Sequence, residues 1–272
     1  MSNSWIDTSN YNSVGNFTGG YNASGWSPLG SIMFKPRENV TTYVTYANSL
    51  QQGDSAPAGT VNQGEALAPF RSNQYELGAK FDFGRISLNA ALYRIERPYA
   101  YTGPDNVFSV KGTQINRGVE LMASGAINDE WTVFGGMTFI DPRLYNTGSS
   151  QTEGRRILGL SQFVMNCLVE YHVPAVQGLT FTANLNYGTN RPTDYANTSF
   201  VPDYTVLNLG MRYAQLIAGK PVTFRFDVLN VTDLHYWANI TPAAQNGYNA
   251  TGSATGMLGA PRTVRASVQV KL

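Results

Sequence analysis

Gln74-Tyr75-Glu76-Leu77-Gly78-Ala79-Lys80-Phe81-Asp82-Phe83 places Tyr, Leu, Ala, Phe and Phe on every second position, with Gln, Glu, Gly, Lys and Asp between them. Successive side chains of a strand point to opposite faces, so this stretch has one apolar face and one polar face. The same alternation returns in Leu179, Phe181, Ala183, Leu185 and Tyr187 against Thr180, Thr182, Asn184, Asn186 and Gly188. It closes the chain in Val264, Ala266, Val268, Val270 and Leu272. A Thr/Asn row suits a hydrated lumen better than the inner face of a packed sandwich.

Outward from these segments, the pattern predicts about eleven strands, near 29–35, 40–48, 73–83, 85–96, 107–124, 131–141, 157–172, 179–189, 204–214, 221–232 and 261–272. Short connections at 36–39, Gly84, 125–130, 174–178 and 215–220 alternate with long ones at 49–72, 97–106, 142–156, 190–203 and 233–260. Strict alternation of tight turns and long excursions is the arrangement of a membrane-spanning barrel; Greek-key crossovers interrupt it in a sandwich. Aromatic residues gather near the strand ends, among them Tyr46, Phe81, Trp131, Phe139, Tyr171 and Tyr187, where interfacial girdles form. The 1–28 segment reads as a polar extracellular loop with no basic n-region or apolar h-region, and 29–272 as barrel.

Composition narrows the function. A net charge of +1 and 14% charged residues leave no electrostatic footprint for nucleic acid. The single cysteine, Cys167, excludes an intrachain disulfide framework and sits among alternating apolar residues. His172 and His235 lie outside metal-ligand spacing, and neither a phosphate-binding glycine loop nor a nucleophile elbow is present, so no enzyme is expected. Asp141, Asp194 and Asp233 stand near strand ends and in loops, where turn capping is their expected role.

Several motifs carry a family resemblance. Ser72-Asn73-Gln74-Tyr75-Glu76-Leu77-Gly78-Ala79-Lys80, Asn116-Arg117-Gly118-Val119-Glu120, Asn230-Val231-Thr232-Asp233 followed by Tyr236, and Gly259-Ala260-Pro261-Arg262 occur in that order. Together they resemble the C-terminal part of TonB-dependent outer-membrane receptors of the ferric-siderophore branch. The resemblance implies an all-β fold, an antiparallel transmembrane β-barrel present in part, about 11 of roughly 22 strands, without the plug domain. Strand parity then implies that the sequence starts mid-barrel. The chain ends on Leu272 rather than on the aromatic residue usual in that family.

The resemblance further implies a bacterial outer-membrane location and uptake of a ferric siderophore. Loops would capture the chelate, and an energy-transducing TonB partner would act through a plug and box outside this sequence. No cofactor is expected to be bound directly; the partners are outer-membrane lipid, the TonB complex and a small-molecule metal chelate. Tyr99, Tyr101, Arg143, Tyr145, Arg191, Tyr195, Tyr236, Trp237 and Tyr248 supply loop aromatics and cations suited to an anionic or aromatic chelate. The competing expectations are a truncated, non-transporting barrel fragment and a soluble β-sandwich binding module.

Overall fold

The computed structural model describes residues 2–11, 14–242 and 254–271. In chain order the strands are β1 (Ser2–Tyr11), β2 (Phe17–Ser27), β3 (Leu29–Arg37), β4 (Val40–Gln51), β5 (Phe70–Asp82), β6 (Ile86–Thr102), β7 (Phe108–Ala126), β8 (Trp131–Tyr145) and β9 (Phe163–His172). They continue as β10 (Leu179–Gly188), β11 (Arg191–Pro192), β12 (Phe200–Val201), β13 (Tyr204–Ile217), β14 (Lys220–Leu229), β15 (Trp237–Pro242), β16 (Ala254–Leu258) and β17 (Thr263–Val270). Eleven of them form one antiparallel sheet in the order β17-β14-β13-β10-β9-β8-β7-β6-β5-β4-β3. Each remaining pair, β1-β2, β11-β12 and β15-β16, is a separate two-stranded sheet on the long connections.

Register carries the two faces from strand to strand. Phe81 pairs Leu88, which pairs Ala123, then Gly135, Cys167, Leu185 and Leu207, all on the apolar side. Among the described residues no second sheet covers this face, and Leu77, Leu92, Phe139 and Phe226 remain about half exposed. In water such a surface would be prohibitively large; in hydrocarbon it is the favourable one. Stacked aromatics border it at both ends. Phe139 lies 4.5 Å from Phe163 and Tyr46 lies 5.3 Å from Tyr75 on the side of the long connections; Trp131 lies 4.7 Å from Tyr171 on the side of the short turns. The spacing from Trp131 to Phe139 along β8 corresponds to about 26 Å of strand, close to the height of a barrel's apolar band. The sandwich expectation is thereby set aside.

The opposite face is wet. Asn184 donates to Asn166 (3.3 Å), Asn186 to Asn184 (2.6 Å) and Asn208 to Asn184 (3.1 Å), while Arg212 reaches Glu170 at 3.4 Å and Arg265 reaches Asp227 at 3.3 Å. Three tyrosines lie across glycines on this face: Tyr43 pairs Gly78, Tyr93 pairs Gly118 and Tyr204 pairs Gly188. A Cβ on Gly78 would sit 2.3 Å from Cζ of Tyr43, and one on Gly118 2.4 Å from the Tyr93 hydroxyl. The motif glycines are therefore seats for cross-strand rings.

Three expectations change. Residues 2–27, read as loop, form the β1-β2 hairpin, held to the next excursion by Gly53 N donating to the Tyr21 hydroxyl (2.8 Å) and Arg71 Nη1 donating to Trp26 O (2.7 Å). The segment 157–162, read as the start of a strand, stays in the excursion, and β9 begins only at Phe163. Conversely β6, β7 and β8 run to 17, 19 and 15 residues, beyond what a bilayer requires. Polar backbone continues pairing past the girdle because hydrogen bonding in the ladder does not depend on side-chain hydropathy.

Candidate functional site

The excursions on the long-connection side fold over the inner, polar face of the strand ends. Their contact is a compact core of Leu144, Leu158, Tyr195, Val201 and Ile240, flanked by Tyr99, Ile157 and Ala254. Leu144 is fully buried, since alternation turns it inward while its neighbours Arg143 and Tyr145 turn outward. Four separate segments thus meet: the end of β6, the β8–β9 connection, the β10–β13 connection and the β15-β16 hairpin. A second, smaller core of Ala56, Ala100 and Phe108 with Leu67 fastens the β4–β5 connection.

Polar chemistry locks this cap. The carboxylate of Asp194 accepts from Thr198 N (3.0 Å), Thr198 Oγ1 (3.0 Å) and Ser199 N (2.7 Å), closing the turn as its sequence position suggested. Asn197, in the left-handed region at φ 59°, accepts at its side-chain oxygen from Arg156 N at 2.7 Å and donates to Arg156 O at 3.0 Å. Arg156 donates to Asn190 O (2.8 Å) and Leu160 O (3.2 Å). Arg191 donates to the carbonyls of Trp237 and Ala238, the latter at 3.2 Å, with its guanidinium 5.3 Å over the Tyr204 ring. Burial pulls both guanidiniums below the usual arginine value. Burial likewise pushes the Tyr195 hydroxyl up, against a smaller opposing effect of its hydrogen bond with Tyr99.

The base of the last excursion is a clasp built from two motifs. Asn230, 3% exposed, donates through Nδ2 to Leu234 O and Ala260 O (3.0 Å each) and accepts from Leu234 N (2.9 Å). Its own amide donates to Asn208 Oδ1 at 2.8 Å. Asp233 accepts from Arg262 N at 2.8 Å and pairs with the Arg262 guanidinium at 3.4 Å; that backbone hydrogen bond, foremost, lowers its pKa. Tyr236 stacks on Tyr204 with centroids 5.0 Å apart, and a Cβ on Gly259 would meet Tyr236 Cε1 at 2.1 Å.

Of the nine sequence candidates, Tyr99, Arg191, Tyr195, Tyr236 and Trp237 come together around this cap. The Tyr99 and Tyr195 hydroxyls are 3.1 Å apart. Tyr101 lies apart and donates to Asn146 O at 3.3 Å. Tyr99, Tyr101, Arg143 and Tyr145, read as loop residues, stand on the extended ends of β6 and β8. Arg143 bonds Asp141 (2.7 Å) and Gly154 O (2.8 Å). Tyr248 lies outside the described residues. Between the 193–201 segment and the β15-β16 hairpin opens a cleft of about 460 Å³, lined by Thr193, Asp194, Thr198, Ser199, Trp237 and Thr255 above an apolar floor of Val201 and Ile240. Apart from Trp237, sequence reasoning missed these lining groups. The one legible signal was the Asp194-x-x-x-Thr198-Ser199 spacing.

Known proteins share this sequence and shape. The profile described as TonB dependent receptor-like, beta-barrel matches residues 2–231. The chain is 31% identical over 263 residues to the ferrichrome receptor FcuA of Yersinia enterocolitica, covering 94% of this chain and 34% of that protein. It is 28% identical to the probable TonB-dependent siderophore receptor PiuA of Acinetobacter baumannii, covering 76% of this chain and 30% of that protein. The crystal structure of BauA, the ferric preacinetobactin receptor of A. baumannii, superposes with a TM-score of 0.77 at 30% identity, covering 93% of this chain and 37% of the receptor. The chain thus spans about a third of the length of these relatives. Motif order, an antiparallel sheet with a lipid-type outer face and this profile agree: the chain belongs to the TonB-dependent receptor β-barrel family of the bacterial outer membrane.

Proposed function

We propose that this chain supplies wall strands and extracellular loops of a receptor that takes up ferric siderophores across the outer membrane. The carrying observation is the inward-folded cap, in which four excursions share one core over a hydrated wall. Such a cap can hold a small ligand above the lumen without catalysing anything, and the siderophore receptors among its relatives support that use. Passage through the barrel would draw on TonB energy coupling through a plug, neither of which lies in this sequence. Deleting the gene in the bacterium that encodes it should abolish uptake of at least one iron-loaded siderophore under iron limitation. Unchanged uptake of every chelate the organism uses would defeat the proposal. The two unpaired sheet edges favour a second reading, a barrel piece that does not transport by itself; the same deletion, silent for all chelates, would support it.

A further inference from the structure

Charge in the cap points to a particular ligand class, an inference that rests on the siderophore reading above. From the girdle outward on the long-connection side, arginine and lysine match aspartate and glutamate one for one. Most of those cations are already engaged. Arg156 and Arg191 are turned onto main-chain carbonyls, Arg143 bonds Asp141, Arg262 pairs with Asp233, Lys111 lies 3.7 Å from Asp105, and Arg71 holds Trp26 O. Arg117 has exposed surface, but its register with Val119 and Leu121 places it on the outer side of the wall, above the girdle, away from the cap.

The cleft itself is lined by hydroxyls, the Trp237 indole and apolar side chains. Its single charged group is the Asp194 carboxylate. Hydroxyls hydrogen-bond carbonyl and N–O oxygens of either charge state, and an indole face packs against aliphatic or planar surface. A polyanion would instead meet a carboxylate with no facing cation, and like charges at such distances repel.

We infer that this part of the receptor takes a ferric chelate of zero or positive net charge, of the trishydroxamate class. Three hydroxamates cancel the three charges of the ferric ion, and an ammonium tail, where present, finds Asp194. Three catecholates would leave three negative charges on the complex, which the cleft has nothing to pair.

The test uses the bacterium that encodes the chain and a deletion of its gene, both iron-starved. Each is offered radioactive iron as a neutral ferric trishydroxamate or as a ferric tris-catecholate. The expected result is gene-dependent uptake of the trishydroxamate, faster than gene-dependent uptake of the tris-catecholate by about tenfold or more. Gene-dependent uptake of the catecholate at an equal or greater rate overturns the inference and leaves the siderophore reading standing. Gene-independent uptake of both overturns the inference, and extending the gene-independence to every chelate the organism uses overturns the siderophore reading as well.

Discussion

At the scale of single residues, the family motifs prove to be joints. Asn230 sits at φ 49° and spends its side chain on three main-chain groups across the base of the last excursion. Asn230→Ala would strand those groups in a site 3% exposed, at a cost of about 2–4 kcal/mol. Limited proteolysis should then cut within 234–262 at protease concentrations that leave the parent chain intact; equal resistance would contradict the clasp. Gly259→Ala acts on the same joint by a different route. Its new Cβ must displace the Tyr236 ring from Tyr204, costing about 1–3 kcal/mol, and a lowered unfolding midpoint in detergent checks it. The sequence displayed these residues and their turn chemistry. It did not display that Gly259 makes room for a tyrosine, because that neighbour is supplied by a ring packing back from Tyr236.

Arg191 shows the limit of reading side chains by type. Its charge suggested a ligand partner, yet folding buries it against two carbonyls of β15 and the face of Tyr204. Whether a guanidinium serves a ligand or a hairpin depends on what the excursion meets after folding, and no local spacing encodes that. Asp194 went the other way: its turn-closing role was legible four residues ahead in Thr198.

At the scale of elements, turns and strands respond to local rules. Ala218-Gly219 joins β13 to β14 with positive φ at both positions (51° and 77°), the geometry of a type I′ turn. An alanine Cβ is disfavoured there, and asparagine tolerates it better. Ala218→Asn should therefore stabilise the hairpin by about 0.5–1 kcal/mol, measured as a raised unfolding midpoint; no change or a loss would refute the argument. In the β8–β9 excursion, Glu153 accepts from Thr147 N at 2.9 Å and Asn146 N at 3.2 Å, which holds its carboxyl below 4.5. A depressed carboxylate stabilises the fold above its unfolded pKa and loses that contribution as pH falls through the folded value. The Asn146 and Thr147 amide resonances should accordingly titrate with a midpoint below 4.5, and Glu153→Gln should abolish that titration.

At the scale of the whole molecule, the main sheet is an open arc. Its first and last strands, β3 and β17, each pair on one side only and are exposed along their full lengths. With an odd number of antiparallel strands, β3 and β17 run the same way, so two copies meeting edge to edge would have to pair in parallel. That geometry disfavours self-closure. Unpaired amides in hydrocarbon are costly, so the edges call for a complementary arc or for solvent. In detergent the chain alone should show amide exchange at β3 and β17 about 100-fold faster than at β7 and β8. Equal protection would mean that something pairs the edges.

Hydropathy alternation and turn residues by themselves determined that this chain is an antiparallel sheet with one lipid face and one wet face, and its motifs told which family it resembles. These are local properties: each strand's period of two is written in neighbouring residues. The lengths of β6 to β8, the hairpin at 2–27 and the shared core of the cap were decided only by tertiary structure. So was the division of the arginines between ligand and scaffold. Each of those depends on contacts between segments far apart in the chain, and their energy comes from burying side chains that the sequence leaves looking like exposed loop.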